Sequence, residues 1–269
     1  MTLLSYALSP RVTAFSTTRL SPFQFSAEEE AAMGTYASFN VTHYCGDAPK
    51  RVQRNREWLA QELGIAVSRI WLPRQTHTAQ VRCIDDEFLK LDEGEQTALL
   101  DEVDALVTNV PGQCIGVSTA DCVPILLYDE EHHAAAAIHA GWRGTVQNIV
   151  RNTVCILQER YQTRPENLRA VIGPAISAAS YEVGEEVVTQ FTEAGFPAAI
   201  IQRAGYTKPH LDLWAANVWL LEEAGIPLEH IQVSGVCTFS QSDTFFSARR
   251  LGIQSGRIYT ALCLKAAEA

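Results

Sequence analysis

The sequence predicts an α+β fold, in which a mixed β-sheet is flanked by helices within a single compact domain that covers residues 1–269. Short apolar runs typical of strands outnumber helical segments, and the two do not alternate regularly as they would in a doubly wound fold. No stretch has the composition of a linker, a low-complexity tract or an internal repeat. With 47% hydrophobic and 19% charged residues, the chain has the composition of a folded protein.

Four segments are predicted to be helices. Pro49 suits the first turn of a helix that reaches Leu63, and Gly64 is a typical stop signal after it. In the segment 144–161, apolar residues recur every three or four positions, which indicates an amphipathic helix. Two further helices are predicted to end at a glycine. The four predicted helices span residues 49–63, 144–161, 185–194 and 213–224.

Eight short apolar runs are predicted to be strands, because each has the length of a strand and lies between turn signals. They span residues 70–72, 79–84, 105–108, 115–118, 123–128, 134–139, 168–172 and 231–236. The most polar passage, residues 85–102, holds nine Asp, Glu and Lys residues and is predicted to be an excursion on the surface.

Charge and composition exclude several classes of function. The chain has 21 Lys and Arg against 31 Asp and Glu, a net charge of −10, and an acidic protein repels nucleic acid at long range. A small anionic ligand in a locally basic pocket is still compatible with that charge. The longest apolar stretches are much shorter than the roughly 18 residues of a membrane span, so no membrane partner is expected.

The cysteines and the first residues favour a cytoplasmic protein. Seven cysteines, an odd number, are spread over the whole chain, and none forms a CxxC pair. That usage is typical of a reduced compartment. The first twenty residues do not have the basic segment and apolar core of a signal peptide.

The stretch 116–144 carries the strongest indication of chemistry. Cys122 lies in the turn before one predicted strand, and His139 lies at the end of the next. A residue that enters one strand and a residue that leaves its antiparallel neighbour lie at the same edge of the sheet, so we expect the two to meet. A thiolate and an imidazole in contact can form a metal site or a Cys–His nucleophile pair.

A structural interpretation of the same residues is also open, with Cys122 a small buried hydrophobe and His139 a hydrogen-bonded interior histidine. Two neighbours favour function: Asp121 adjoins the cysteine, and a Gly-Trp-Arg-Gly turn follows the histidine. That turn opens the predicted helix 144–161, whose free N–H groups form an anion cradle together with Arg143. Ordinary capping, with Arg143 in solvent, is the alternative.

His77 is the third candidate ligand. It lies between two predicted strands, where a histidine is more often a surface residue than a ligand. Together with Cys122 and His139, however, it gives three protein ligands and one vacant position, the ligand count of a catalytic zinc site. The separations between the three are unlike the short spacings of zinc fingers, so spacing gives the site little support.

Three motifs resemble signatures of the YfiH family, the laccase-domain or multicopper polyphenol oxidase-like proteins. They are QTHTAQV (75–81), TADCVPILLYD (119–129) and HAGWRGTVQNIV (139–150). Further matches run in the family's order over nearly the whole chain, at residues 38–47, 104–112, 172–184, 212–217 and 237–257. The sequence departs from the family pattern at Thr42 and Thr78, where glycine is usual, and at Ala175 and Ser240, where cysteine is frequent. The missing thiolates weaken a multicopper interpretation.

The resemblance implies a fold of mixed sheets sandwiched by helices, similar to the catalytic domain of cytotoxic necrotizing factor. It implies a zinc ion bound by His77, Cys122 and His139, with copper as the alternative. It also implies a small-molecule substrate, because family members are described as enzymes of purine nucleosides. Those activities are phosphorolysis of adenosine, inosine, guanosine and methylthioadenosine, and deamination of adenosine. Other members are called copper-dependent polyphenol oxidases or peptidoglycan editing factors.

Roles for individual residues follow from adjacency and from motif membership. A zinc ion with an open position activates water for deamination, and Asp121 beside Cys122 is the candidate general acid or base. For phosphorolysis, the helix N-terminus and Arg143 are the candidate phosphate site. Candidate substrate contacts from the motifs are Asn40, Gln75 and Arg249.

Three other functions stay open at this point. A copper oxidase of phenols needs clustered histidines, and the chain has seven scattered ones without an HxH pair. A metal-free Cys122–His139 amide hydrolase, acting on peptidoglycan precursors, would need only the two residues. A non-enzymatic binding protein would need a docking face, and no long apolar stripe is visible.

Overall fold

Two β-sheets lie face to face at the centre of the protein, with helices on both outer sides. The computed structural model describes residues 1–266. One apolar cluster fills the space between the sheets, a second lies between the larger sheet and its helices, and a third lies beneath α2 (Pro49–Leu63) on the smaller sheet. This arrangement confirms the predicted α+β class with mixed sheets between helices. The likeness to the necrotizing factor domain stays a prediction.

The smaller sheet has five strands in the order β1-β2-β13-β6-β3. All neighbours are antiparallel except β6 and β3. The strands are β1 (Leu3–Tyr6), β2 (Val12–Thr17), β13 (Ile258–Leu264), β6 (Cys114–Thr119) and β3 (Ile70–Trp71).

The larger sheet has six strands in the order β12-β9-β7-β8-β5-β4, with parallel pairs at its two ends and antiparallel pairs between them. Every residue of β7 and β8 is buried, because helices cover one face and the smaller sheet the other. The strands are β12 (Ile231–Val233), β9 (Arg169–Ile172), β7 (Val123–Asp129), β8 (Ala134–Ala140), β5 (Ala105–Thr108) and β4 (Val81–Cys83). A separate two-stranded ribbon pairs β10 (Ile201–Gln202) with β11 (His210–Leu211).

The other helices of residues 1–266 are α1 (Ala27–Met33), α3 (Asp86–Leu89), α4 (Glu93–Leu99), α5 (Trp142–Val146), α6 (Ile149–Tyr161), α7 (Glu185–Glu193), α8 (Leu213–Glu223) and α9 (Ala248–Leu251). None of the helices in this part of the chain is long and apolar enough to cross a membrane.

The prediction of one helix over 144–161 was wrong. The segment forms α5 and α6, which are separated at Asn148, a residue with a left-handed backbone conformation (φ 60°). Asparagine tolerates that conformation better than most residues, so the chain turns there without a glycine. The three- to four-residue spacing of apolar residues continues from α5 into α6, so the sequence pattern does not reveal the break between the two helices. The first of the two helices begins at Trp142, before Gly144.

The polar passage 85–102 is more ordered than its composition suggests. It contains α3 and α4, and Asp92 and Glu95 form a capping box at the start of α4. Phe88 and Leu100 are buried against the cluster between the sheets. Three adjacent strands of the smaller sheet, β1, β2 and β13, were not predicted from the sequence.

Gly116 provides a test of how closely β6 and β13 pack. A Cβ at this position would lie 2.5 Å from the ring of Tyr259 and 2.7 Å from the Cβ of Ala261. Gly116→Ala should therefore destabilise the protein by about 1–3 kcal/mol, the usual cost of overpacking a core. Chemical denaturation measures the change in the free energy of unfolding. The control is Gly94→Ala at an exposed position of α4, where a Cβ would lie 3.2 Å from the exposed Asp92 carboxylate and meet no core atom. Its effect should stay below about 1 kcal/mol, because a surface side chain can move aside. Equal effects of the two substitutions would contradict the packing argument.

Candidate metal centre

Adjacent strands bring Cys122 and His139 together, as the sequence predicts. Pro124 lies opposite His139 in the β7–β8 ladder, so Cys122, two residues before Pro124, lies at the edge of the sheet where β8 ends. His139 is only 3% exposed, whereas Cys122 is partly accessible.

His77 reaches the same place from the loop between β3 and β4. Its Nε2 lies 3.8 Å from Sγ of Cys122, and its ring stands edge-on to that of His139 with centroids 4.9 Å apart. One ligand atom from each of His77, Cys122 and His139 lies within 4.8 Å of the others. Within residues 1–266, this is the one group of three or more His, Cys, Asp or Glu residues with such convergence.

A buried carboxylate, which sequence reasoning missed, holds two of the three ligands in position. Asp104 immediately precedes β5 and is fully buried. It accepts hydrogen bonds from the backbone N–H groups of Thr76, His77 and Thr78, at 3.3, 3.0 and 2.8 Å, and from the Thr78 hydroxyl. Nδ1 of His139 donates to the same carboxylate at 2.6 Å. This bond leaves Nε2 of His139 as the nitrogen available to an ion.

The charges of the site favour an ionised cysteine. Burial alone would raise the pKa of Cys122, but the charge of His139 and hydrogen bonds from His139 and His77 outweigh it and lower the pKa to about 6. Burial alone would lower the pKa of His139, but the Cys122 thiolate and the bond to Asp104 raise it to about 10. The pKa of Asp104 falls despite its burial, chiefly because His139 hydrogen-bonds to it.

Gly141 leaves the room that the ligands need. A Cβ at this position would lie 3.0 Å from both Sγ of Cys122 and Cδ2 of His77. The backbone there is ordinary (φ −68°, ψ 169°), so any residue could adopt it. The glycine is needed because the side chains of Cys122 and His77 lie so close to its Cα. Two imidazoles and one thiolate around this space fit a zinc ion with one position left open, and copper takes the same donor types.

The three residues open into a cleft of about 510 Å³. Of the other predicted site residues, Asp121, Gln75 and Arg249 also line it. The cleft is lined by Tyr44, Gln75, His77, Ser118, Thr119, Ala120, Asp121, Cys122, His139, Ile176, Tyr181, Ala248, Arg249, Ile253 and Arg257.

Hydrogen bonds already engage Asp121 and Gln75. The buried Asp121 carboxylate accepts from the Thr238 hydroxyl at 2.6 Å and from the backbone N–H of Arg249 at 2.7 Å. The Gln75 amide pairs with both the N–H and the C=O of Ser118, at 2.7 and 2.8 Å. Both residues therefore shape the cleft wall, and a role for either in catalysis or binding stays a prediction.

The structure places Asn40 and Arg143 outside the cleft wall, and their assignment as substrate contacts stays a prediction. Asn40 is fully buried, donates to Asp47 at 2.9 Å and accepts from the backbone N–H of Arg257 at 3.1 Å, so it fixes loops beneath the cleft. Arg143 is exposed, with its guanidinium 4.3 Å from the centroid of the Trp142 ring. It belongs to α5, a helix of only five residues, so the long helix predicted to carry the anion cradle is not formed, and the cradle itself stays a prediction.

Several cleft residues have no sequence-based prediction, among them Tyr44, Ile176, Tyr181 and Arg257. All four, and Asp104 as well, lie in segments that match the YfiH pattern, at 38–47, 104–112, 172–184 and 237–257. Membership in those segments was the one available signal, because none of these residues adjoins a proposed ligand in sequence.

A family model described as multi-copper polyphenol oxidoreductase laccase matches residues 23–265. The chain belongs to this family. It is 42% identical over 251 residues to a purine nucleoside phosphorylase of Bacteroides thetaiotaomicron, with 93% of each chain covered. It is 41% identical over 258 residues to adenosine deaminase RL5 of an unknown prokaryotic organism, with 94% of each chain covered.

Solved structures of the family have the same fold. The Bacillus licheniformis protein YfiH superimposes with a TM-score of 0.87 at 28% identity, covering 98% of this chain and 97% of its own. YlmD from Geobacillus stearothermophilus also gives a TM-score of 0.87, at 29% identity, covering 99% and 97%. The resemblance to the YfiH family is thereby confirmed.

Asp104→Asn tests whether the carboxylate positions the ligands. The amide keeps the size of the side chain but presents an NH₂ group to donors and removes the charge that holds His139 and the His77 loop. Changes to groups that orient metal ligands typically lower metal affinity about 10–100-fold, and we expect a loss in that range. Competition against a chromophoric zinc chelator measures it.

Asp101→Asn is the matched control, because Asp101 lies nearby in sequence but is exposed and pairs with Arg74. It should leave the metal affinity unchanged. If Asp104→Asn folds and competes with the chelator as well as the native protein does, the carboxylate does not have this role.

Proposed function

We propose that the protein is a zinc-dependent enzyme of purine nucleosides, with His77, Cys122 and His139 as the metal ligands. Its reactions would be phosphorolysis of adenosine, inosine, guanosine and methylthioadenosine, and deamination of adenosine. The observation that carries the proposal is the convergence of these three ligands at a cleft large enough for a nucleoside. Its support is the 41–42% identity to relatives named for these two activities. The whole chain, residues 1–269, would form one domain around this centre.

The cleft offers different chemistry to the different parts of a nucleoside. Tyr181 and the 78%-exposed Ile253 provide apolar surface for the flat base. Arg249 and Arg257 provide positive charge, which suits a phosphate ion in an otherwise acidic protein. The substrate would thus lie with its base against the apolar wall and its polar groups toward the arginines and the candidate ligands.

Arg249 is better placed than Arg257 to bind phosphate. The guanidinium of Arg257 donates to backbone oxygens of its own loop at 2.6 to 3.0 Å, including those of Ile253 and Ser255. That of Arg249 makes only long bonds, of 3.2 and 3.3 Å, to the carbonyl oxygen of Glu182. An incoming anion can therefore take over the donors of Arg249 at little cost.

Both reactions need a proton to move as a bond to the purine breaks. In phosphorolysis, a phosphate oxygen attacks the ribose C1′ and the base leaves with the bonding electrons and takes up a proton. In deamination, a water oxygen replaces the amino group at C6, and ammonia leaves. A bound metal supplies Lewis acidity, which activates water. Asp121 is the carboxylate proposed to carry the proton, since it lines the cleft beside Cys122.

Cys122→Ala tests the proposal directly. Two histidines alone hold zinc poorly, so the purified variant should contain little metal, and both activities should fall to background. Elemental analysis measures the metal, and chromatography of adenine, inosine and hypoxanthine, after incubation with adenosine with and without phosphate, measures both reactions. Cys155→Ala in α6, away from the cleft, is the control. A Cys122→Ala variant with normal metal and activity would overturn the ligand assignment.

Arg249→Ala separates the two reactions. Loss of a charge-assisted hydrogen bond should raise the KM for phosphate about 10- to 100-fold, whereas deamination, which needs no phosphate, should keep its rate. Steady-state kinetics at varied phosphate measures the difference. Arg250→Ala is the matched control, because Arg250 lies over the Phe239 ring and does not line the cleft. Equal loss of both activities in Arg249→Ala would refute a phosphate site at this residue.

Two other functions each have one supporting observation. The description of the family model favours a copper-dependent polyphenol oxidase, but a multicopper enzyme needs several ion sites, and residues 1–266 hold one three-ligand group. The 2.6 Å bond between His139 and Asp104, beside a Cys122 whose pKa is about 6, resembles the arrangement of a cysteine amide hydrolase. Oxygen consumption with phenols by the copper-loaded protein would support the first. Activity that survives metal removal but not thiol alkylation would support the second.

A cytoplasmic location is part of the proposal. All seven cysteines are free thiols in the structure, which fits a reduced compartment.

A further inference from the structure

Two buried cysteines face each other across the centre of the smaller sheet. Cys114 is the first residue of β6, and Cys263 is its register partner in β13. Both belong to the apolar cluster beneath α2, with exposures of 0% and 4%. Neither has a role in the candidate metal centre, since Cys122 follows the opposite end of β6.

The ladder places the two thiols at the kind of position where a disulfide fits. The N–H of Leu264 donates to the carbonyl oxygen of Gln113 at 3.0 Å, so this ladder bond lies beside the Cys114–Cys263 pair and does not join its two residues. The pair is therefore of the non-hydrogen-bonded kind, in which Cα atoms typically lie about 4.5 Å apart. Disulfides accept Cα separations of roughly 4.4–6.8 Å, so the strands do not need to move apart or slide.

The two thiols differ in reactivity. Interaction with the neighbouring Cys114 thiol lowers the pKa of Cys263, whereas burial raises the pKa of Cys114. Cys263 is also the more accessible of the two and lies near the end of its strand. It is therefore the sulfur that an oxidant meets first.

We propose that Cys114 and Cys263 are a latent redox pair, which a small peroxide converts to a cross-strand disulfide. The Cys263 thiolate attacks hydrogen peroxide, the O–O bond breaks, and a sulfenic acid forms with release of one water once a proton is taken up. The Cys114 sulfur then attacks the Cys263 sulfur; the S–S bond forms, the S–O bond breaks and a second water leaves. Two thiols are oxidised by two electrons in total, and one peroxide is reduced to two waters.

The disulfide would stabilise the fold without disturbing the cleft. It would join two strands that lie far apart in the chain, and closing a long loop restricts the unfolded state most. Cys122 lies beyond the far end of β6, so the metal ligands keep their places. We expect the melting temperature to rise by about 5 °C or more and the metal content to stay constant.

The test uses the purified, metal-containing protein, treated with hydrogen peroxide, denatured in an alkylating agent and digested without reductant. Mass spectrometry should find a peptide pair joined through Cys114 and Cys263, which dithiothreitol separates. The variants Cys114→Ser and Cys263→Ser should each lose the linked pair and the rise in melting temperature. Cys155→Ser, a half-buried cysteine in α6, should keep both.

The result on the native chain decides the question even if a variant folds poorly. If Cys114 and Cys263 are both recovered as alkylated thiols after peroxide treatment, or if Cys122 is the only oxidised cysteine, the proposal is wrong. A linked pair accompanied by a lower melting temperature would also contradict it, since the bond would then strain the sheet.

Discussion

The candidate site depends on the burial of one negative charge. A carboxylate inside a protein is costly unless hydrogen bonds replace its water, and Asp104 has five donors around it. Those donors come from the loop that carries His77 and from the ring of His139. The protein therefore cannot bury Asp104 without also fixing two of the three candidate ligands. The positions of these two candidate ligands therefore follow from the hydrogen bonds that the buried Asp104 carboxylate needs, rather than from contacts among the ligands.

The sheet architecture explains why that charge can lie so deep. Five of the seven residues of β8 are alanines, and all seven are buried. Small side chains on both faces of the strand let the second sheet and the helices approach closely, which closes the layers around Asp104 and His139. Only at the end of β8, where Gly141 follows, does the structure open to the cleft. The ligands thus lie where a tightly packed interior meets solvent.

The sequence predicted the centre of the fold better than its margins. The β7–β8 pair, and with it the meeting of Cys122 and His139, follows from alternating turn signals and apolar runs within a short stretch of chain. The smaller sheet was largely missed because it joins β1 and β2 to β13, from opposite ends of the chain, and no local pattern reports a pairing at such a distance. The break at Asn148 was missed because apolar spacing continues across it.

The roles of single residues were the least predictable. Asn40 belongs to a motif of the family, yet its side chain forms hydrogen bonds with Asp47 and with the backbone N–H of Arg257. Asp104 also lies in a motif segment, but its role is not predictable from sequence because it lies 27 positions from His77 and 35 from His139. That role depends on the hydrogen bonds that its carboxylate accepts in the folded protein. Membership in a motif indicates that a residue is important for the site. It does not distinguish a side chain that contacts the ligand from one that only holds the surrounding backbone in position.

The exposure of His77 bears on which ion occupies the centre. His139 is enclosed and Cys122 partly so, whereas His77 stands at the protein surface on a loop. An outward imidazole can detach and return while the rest of the fold stays in place, so an ion held by these side chains would have a route of exchange with its surroundings. Copper(II) competes for nitrogen and sulfur donors more strongly than zinc does. The metal found in the site would then depend on the supply of each metal. The same three side chains would serve a laccase-like chemistry with copper and a different chemistry with zinc.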